Sequence, residues 1–276
     1  VDCFFRSLYR IFAPQKKNLM QHTEGYVRST KEQGIATIEF FHPASNSLPG
    51  VILQDLARTV QDTGADPDVR VIILRSAGEK AFCAGASFDE LTAISNEEEG
   101  LRFFSGFAHV INAMRKSPKL IIGRIQGKAV GGGVGLVAAC DYAIATDIAD
   151  VKLSELAVGI GPFVVGPAVE RKTGVSCFSQ LAIDATEWRS AEWAQQHGLY
   201  AEVHGSIEEV DDAVGKLARR LGQSSPEAMY ELKRIFWQGT DHWDTLLPER
   251  AAISGRLVLS EFTRNAIQAF KARTAR

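Results

Sequence analysis

An α/β fold closed by a helical C-terminal part is the prediction from this sequence, and three observations carry it. Apolar runs rich in Val and Ile fill the first half: Tyr26–Ser29, Ile35–Phe40, Arg70–Arg75 and Leu120–Ile125 read as strands. From Val164 onward the apolar residues recur at helical spacing, segment after segment. Between the two lies Ala129–Ala139, AVGGGVGLVAA, where three consecutive glycines open a helix. Glycine weakens a helix by about 1 kcal/mol relative to alanine, so three together mark a close approach to the backbone. A helix start offers unpaired N–H groups and a partial positive charge, which suits a phosphate, a carboxylate or a developing oxyanion.

At 276 residues, 45% hydrophobic and with a formal net charge of −2, the chain holds one large core, with or without an appendage. That charge excludes nucleic acid and an anionic membrane surface as main partners. Cys3, Cys83, Cys140 and Cys177 form no CxxC, and the histidines form no ligand-spaced pair, so disulfide and zinc readings fail. No apolar run reaches the roughly 18–20 residues of a membrane span. A soluble, cytoplasmic protein is expected.

Residues 1–23 read as a leader without ordered structure. Phe4, Phe5, Leu8 and Phe12 alternate with Arg6 and Arg10, a targeting or membrane-surface pattern, or an extension ahead of Met20. A core over 24–205 and a helical subdomain over 206–276 follow. Lys31–Gly34 turns a hairpin, His42-Pro43 ends its second strand, and Ser45–Leu48 leads into a helix over Val51–Thr63. His42 is a candidate base, although a histidine before proline is more often a strand-end surface residue. Glu97–Glu99 precedes a helix over Gly100–Lys116, where acidic charge complements the dipole. Along it Phe103, Phe104, Phe107, Val110, Ile111 and Met114 form a core stripe. Leu120–Ile125 is followed by a linker, Gln126–Val130, and then the glycines. Helices are expected over Val164–Lys172, Ser176–Ile183, Ala191–His197, Glu208–Leu221, Pro226–Gln238, Leu246–Gly255 and Glu261–Lys271.

Two further stretches frame the glycines. Lys80-Ala81-Phe82-Cys83-Ala84-Gly85-Ala86-Ser87 follows the Arg70–Leu74 strand, and Leu153-Ser154-Glu155-Leu156 sets one carboxylate among apolar neighbours before Gly159-Ile160-Gly161-Pro162. In that order, from about Ile35 to Thr186, these motifs resemble the crotonase (enoyl-CoA hydratase/isomerase) superfamily. The resemblance implies a spiral of β-β-α units with a helical C-terminal subdomain that serves trimerisation. It implies an acyl-CoA thioester as substrate, no separate cofactor, and a homotrimer or hexamer. It implies an oxyanion hole from the N–H groups of Ala84 and Gly132, with Glu155 as acid/base. The coenzyme A ester would lie along Asn46, Leu48, Ala84, Ala86, Ser87, Phe88, Gly132 and Gly135. Phe262 and Phe270–Lys271 are C-terminal candidates, although Asn265 stands where a lysine is expected.

The departure is Gly135, where hydratases of this superfamily carry a second glutamate. One acid suffices to move a proton between carbons, so isomerisation is favoured over hydration. Asp89 or Glu90 near the AFCAGAS loop would have to supply a second acid. Two other classes stay open: a non-catalytic acyl-CoA binder, and a dinucleotide-binding oxidoreductase, since Gly133–Ala138 fits GxGxxG/A with Glu155 about 20 residues on.

Overall fold

The computed structural model describes residues 25–274, without the side chains of 270–274. The expected leader over 1–23 and the Phe270 and Lys271 side chains therefore lie outside the described residues. Strands β1 (Tyr26–Glu32) and β2 (Ile35–Phe41) pair antiparallel, turning through Gln33 (φ 51°) and Gly34 (φ 79°). Both central residues have positive φ, as tight two-residue hairpin turns require. β2 then starts a parallel series through β4 (Val71–Ser76), β7 (Leu120–Ile125), β9 (Tyr142–Thr146) and β11 (Glu202–His204), giving one six-stranded sheet. Unbroken apolar runs such as Val71–Leu74 reflect burial on both faces.

One face packs on Val210, Val214 and Ala218 of α7 (Ile207–Gly222) through Ile35, Val71, Ile73, Ile122 and Ile144. The first helix of the expected C-terminal subdomain thus forms a layer of the core. The other face meets α1 (Gly50–Ala65) and α3 (Glu97–Lys116), with Leu53, Leu56, Ile111 and Met114 buried against Ile38, Ile72 and Leu74. Glu97–Glu99 lies inside the first turn of α3 rather than before it, and the Asn96 Oδ1 accepts the Glu99 N–H at 2.9 Å.

A smaller sheet has the order β10–β8–β5, from β5 (Ala81–Cys83), β8 (Lys128–Val130) and β10 (Val151–Lys152), all parallel. Residues 128–130 are therefore a strand and not a linker. Beside it β3 (Ser47–Leu48) pairs with β6 (Gly85–Ala86). Such short strands show no period in sequence.

The remaining helices are α2 (Phe88–Ala93), α4 (Gly132–Ala139), α5 (Gly166–Ile183), α6 (Ala191–Gln196), α8 (Pro226–Phe236), α9 (Trp243–Leu257) and α10 (Glu261–Thr274). α5 kinks at Gly174 (φ 79°, ψ 160°), where the sequence places a break between two helices. α4 is buried on every side. α9 crosses α3 so closely that a Cβ on Gly100 would lie 2.7 Å from the Gly255 Cα.

Candidate active site

β5, β8 and β10 run parallel, so their C-terminal ends deliver Ala84–Ser87, Gly131–Gly132 and Leu153–Glu155 to one edge of the small sheet. The Gly131 N–H donates to the Lys152 carbonyl at 2.9 Å, tying the second end to the third. Each glycine of the run answers a different neighbour. Gly131 (φ 52°, ψ −114°) turns the chain into α4, and a Cβ there would lie 2.9 Å from the Glu155 Oε1. On Gly132 a Cβ would sit 2.3 Å from the Phe107 ring, and on Gly133 it would sit 2.4 Å from the Cys83 carbonyl oxygen. Among the described residues the Gly132 N–H meets no acceptor, as expected at a helix start.

Glu155 opens a 3₁₀ turn over Leu156–Val158 that closes at Gly159 (φ 81°). The residue is half-buried, but its Oε2 is sealed from solvent and has no hydrogen-bond partner. Burial pushes its carboxyl from 4.5 up to about 7, offset in part by a hydrogen bond from its own backbone. That places an ionisable group near neutrality against the start of α4.

The other expected residues divide. Ala84 is a correction: its N–H donates to the Asn46 carbonyl at 3.2 Å and is not available to a ligand. Ser87 donates to the Leu48 carbonyl at 2.9 Å, and successive amides of a parallel strand point to opposite sides. The Ala86 N–H therefore turns away from β3. On this strand a Cβ at Gly85 would lie 3.8 Å from the Gly132 nitrogen.

Asn46 (φ 57°) spends its side chain inside the protein. Its Oδ1 accepts the His42 N–H, and its amide donates to the Ala77 and Ala81 carbonyls. Leu48 is a core residue, fully buried. Both side chains are turned into the protein, so what this stretch offers a ligand is its backbone. Ser87 caps α2 by accepting the Glu90 N–H, and Phe88 is half-buried beyond it. Glu90 accepts the Gly50 N–H at 2.8 Å and so caps α1, while Asp89 is exposed. His42 is half-buried with an unpartnered Nδ1, and burial lowers its pKa.

Gly135 is fully enclosed. A Cβ there would meet the Val165 Cγ1 at 2.5 Å and the Ile111 Cδ1 at 3.4 Å. Sequence reading missed Val165, and it placed Phe107 only in the core stripe; nothing in local spacing pairs either with a glycine of α4. A cavity of about 700 Å³ lies between α1, α2 and α3, with Glu90, Ile94, Arg102, Phe103 and His109 in its wall. The GxGxxG match finds no dinucleotide fold: α4 leads from β8 into β9 of the other sheet, so no βαβ unit forms.

Comparison with known proteins gives the same answer. A probable enoyl-CoA hydratase of Bacillus subtilis (strain 168) is 29% identical over 241 residues, covering 87% of this chain and 93% of that protein. The mitochondrial methylglutaconyl-CoA hydratase of Homo sapiens is 34% identical over 200 residues, 71% of this chain and 58% of that one. The crystal structure of an enoyl-CoA hydratase from Bacillus halodurans superimposes with a TM-score of 0.81 at 19% identity, covering 88% and 99% of the two chains, which shows the shared fold. A family model described as enoyl-CoA hydratase/isomerase matches residues 30–273, and the chain belongs to that family.

Proposed function

We propose that this family member is an isomerase-type acyl-CoA enzyme with one acid/base, Glu155. The hole donors are the N–H groups of Gly132 and Ala86, the latter replacing Ala84. The Glu155 carboxylate takes a proton from carbon 2 of a 3-enoyl thioester, and the electrons collect on the thioester oxygen as an enolate. The hole holds that charge; one donor in such a hole is worth about 3 kcal/mol. Protonated Glu155 then delivers the proton to carbon 4 while the double bond settles between carbons 2 and 3. A pKa of about 7 keeps both forms of Glu155 populated at neutral pH, as both half-steps need.

The observation that carries this reading is the sealed, unpartnered Oε2 of Glu155 at the start of α4. The filled space at Gly135 supports proton transfer over hydration, because a second carboxylate on α4 has no room. Hydration is the second reading, supported by the names of the relatives. It needs a second acid, and Glu90 is already engaged with Gly50.

Glu155→Gln is expected to lower 3-enoyl-CoA isomerisation by about 10³-fold while CoA-ester binding persists. An unchanged rate in that variant removes the role of Glu155. An absence of solvent-deuterium exchange at the acyl α-carbon in the native protein points instead to a pure binder. Exposed apolar side chains on α8 (Leu232, Ile235 and Phe236) and on α10 (Phe262) support self-association into a trimer or paired trimers. A soluble, cytoplasmic setting completes the proposal.

A further inference from the structure

At the edge of the large sheet where its parallel strands begin, two cations stand side by side. Arg70 and Lys119 precede Val71 and Leu120, which are register partners on the central strands β4 and β7. Like charges opposite one another on neighbouring strands repel. Among the described residues neither the Arg70 guanidinium nor the Lys119 ammonium has a hydrogen-bond or ion-pair partner. Asp66 and Asp68, the acids just upstream, are taken by the Lys31 ammonium at 2.8 and 3.2 Å. Both cations are held at the base: the Arg70 N–H donates to the Gly34 carbonyl at 2.7 Å, and the Lys119 N–H donates to the Ser117 Oγ at 3.2 Å. They line a cavity of about 290 Å³ that the start of α8 closes with Glu227, Met229 and Tyr230. Val69 and Met229 are buried and give it an apolar base, and the exposed Tyr230 adds a phenol able to donate. Glu227 is exposed and is the cavity's one carboxylate among the described residues.

We infer that this cavity is a second binding site, for a small doubly charged oxyanion of the phosphate class, free or as a phosphomonoester. Two adjacent cations favour a dianion over a monoanion. The planar fork of Arg70 matches two oxygens at once, and Lys119 adds a point charge. A ligand that neutralises both removes their repulsion, and by binding the folded state it stabilises the chain. The volume admits such an anion with a short body and lies at the small end of ligand pockets. The candidate active site stands on the small sheet, so this inference does not rest on the roles of Glu155 and Gly132.

The test is calorimetry on the native chain at neutral pH with inorganic phosphate, glycerol phosphate and acetate, ionic strength held constant with sodium chloride. One saturable site is expected, about tenfold tighter for the phosphates than for acetate. Arg70→Gln and Lys119→Gln are each expected to weaken it about tenfold or more, and Glu227→Gln to tighten it. Tighter binding of glycerol phosphate assigns the site to a phosphomonoester, and the reverse order assigns it to the free ion. Lys119→Gln also separates this cavity from any phosphate held at the candidate active site, where Lys119 takes no part. Should Arg70→Gln unfold, Lys119→Gln decides alone, since its ammonium has no partner among the described residues to lose. Binding that is absent in the native chain, that persists unchanged in both cation variants, or that weakens in Glu227→Gln overturns the inference.

Discussion

Glu155 carries a charge that the folded protein resists. Its pKa is 4.5 for a free carboxyl and about 7 here, so near pH 6 the folded protein holds a proton that the unfolded chain has released. The stability this group contributes is complete below the unfolded pKa and is lost as pH rises through the folded one. Above that the loss is roughly 3 kcal/mol, less whatever water reaching Oε1 recovers. Glu155→Gln is therefore expected to be inactive and yet more stable than the native chain above pH 7, the gap closing below pH 4.5. Urea denaturation at several pH values checks this, and a gap independent of pH contradicts it. At Gly135, a glutamate meets Val165, so Gly135→Glu alone is expected to destabilise by about 1–3 kcal/mol. Pairing it with Val165→Ala is expected to recover stability and to raise hydration of 2-enoyl-CoA, measured by loss of the enoyl absorbance. Choosing between Ala84 and Ala86 was beyond the sequence. Both are small residues in one motif, and the choice depends on which amide β3 engages.

The C-terminal end of α4 is anchored at Asp141, which accepts from the Lys233 Nζ at 2.7 Å, the Trp237 Nε1 at 2.9 Å and the Ile121 N–H at 2.8 Å. Asp141 and Lys233 are almost fully enclosed, and their network ties α8 to β7 and to the turn before β9. Burial still pulls the Lys233 ammonium below its ordinary pKa, with Asp141 opposing. Removing one partner of such a pair strands the other, so Lys233→Met is expected to cost about 3–5 kcal/mol in chemical denaturation. Long periodic elements were legible: Leu120–Ile125 matches to the residue, and α7 and α10 within a few residues. β3, β5, β6, β8 and β10 were not, because two or three residues leave no alternation to read, and those strands position the site.

Across the whole molecule, one large sheet carries the core and the small sheet carries the candidate site. The proposed assembly is checked by light scattering. A trimer of the 30.1 kDa chain weighs 3 × 30.1 = 90.3 kDa and a hexamer twice that, while a mass of one chain refutes it. The motif order in the sequence pointed to the family, because AFCAGAS, GGGVG and the lone acid mark the three strand ends that meet. Val165 stayed hidden, since it meets Gly135 from a distant segment of the chain. The ends of β5, β8 and β10 are pinned by very few ladder bonds, whereas β2, β4 and β7 share long registers. Regions held by few bonds open at lower free energy than the core. Mild urea should therefore silence turnover while far-ultraviolet circular dichroism still reports an intact protein, so a loss of rate on storage or warming is an early warning and not yet a collapse.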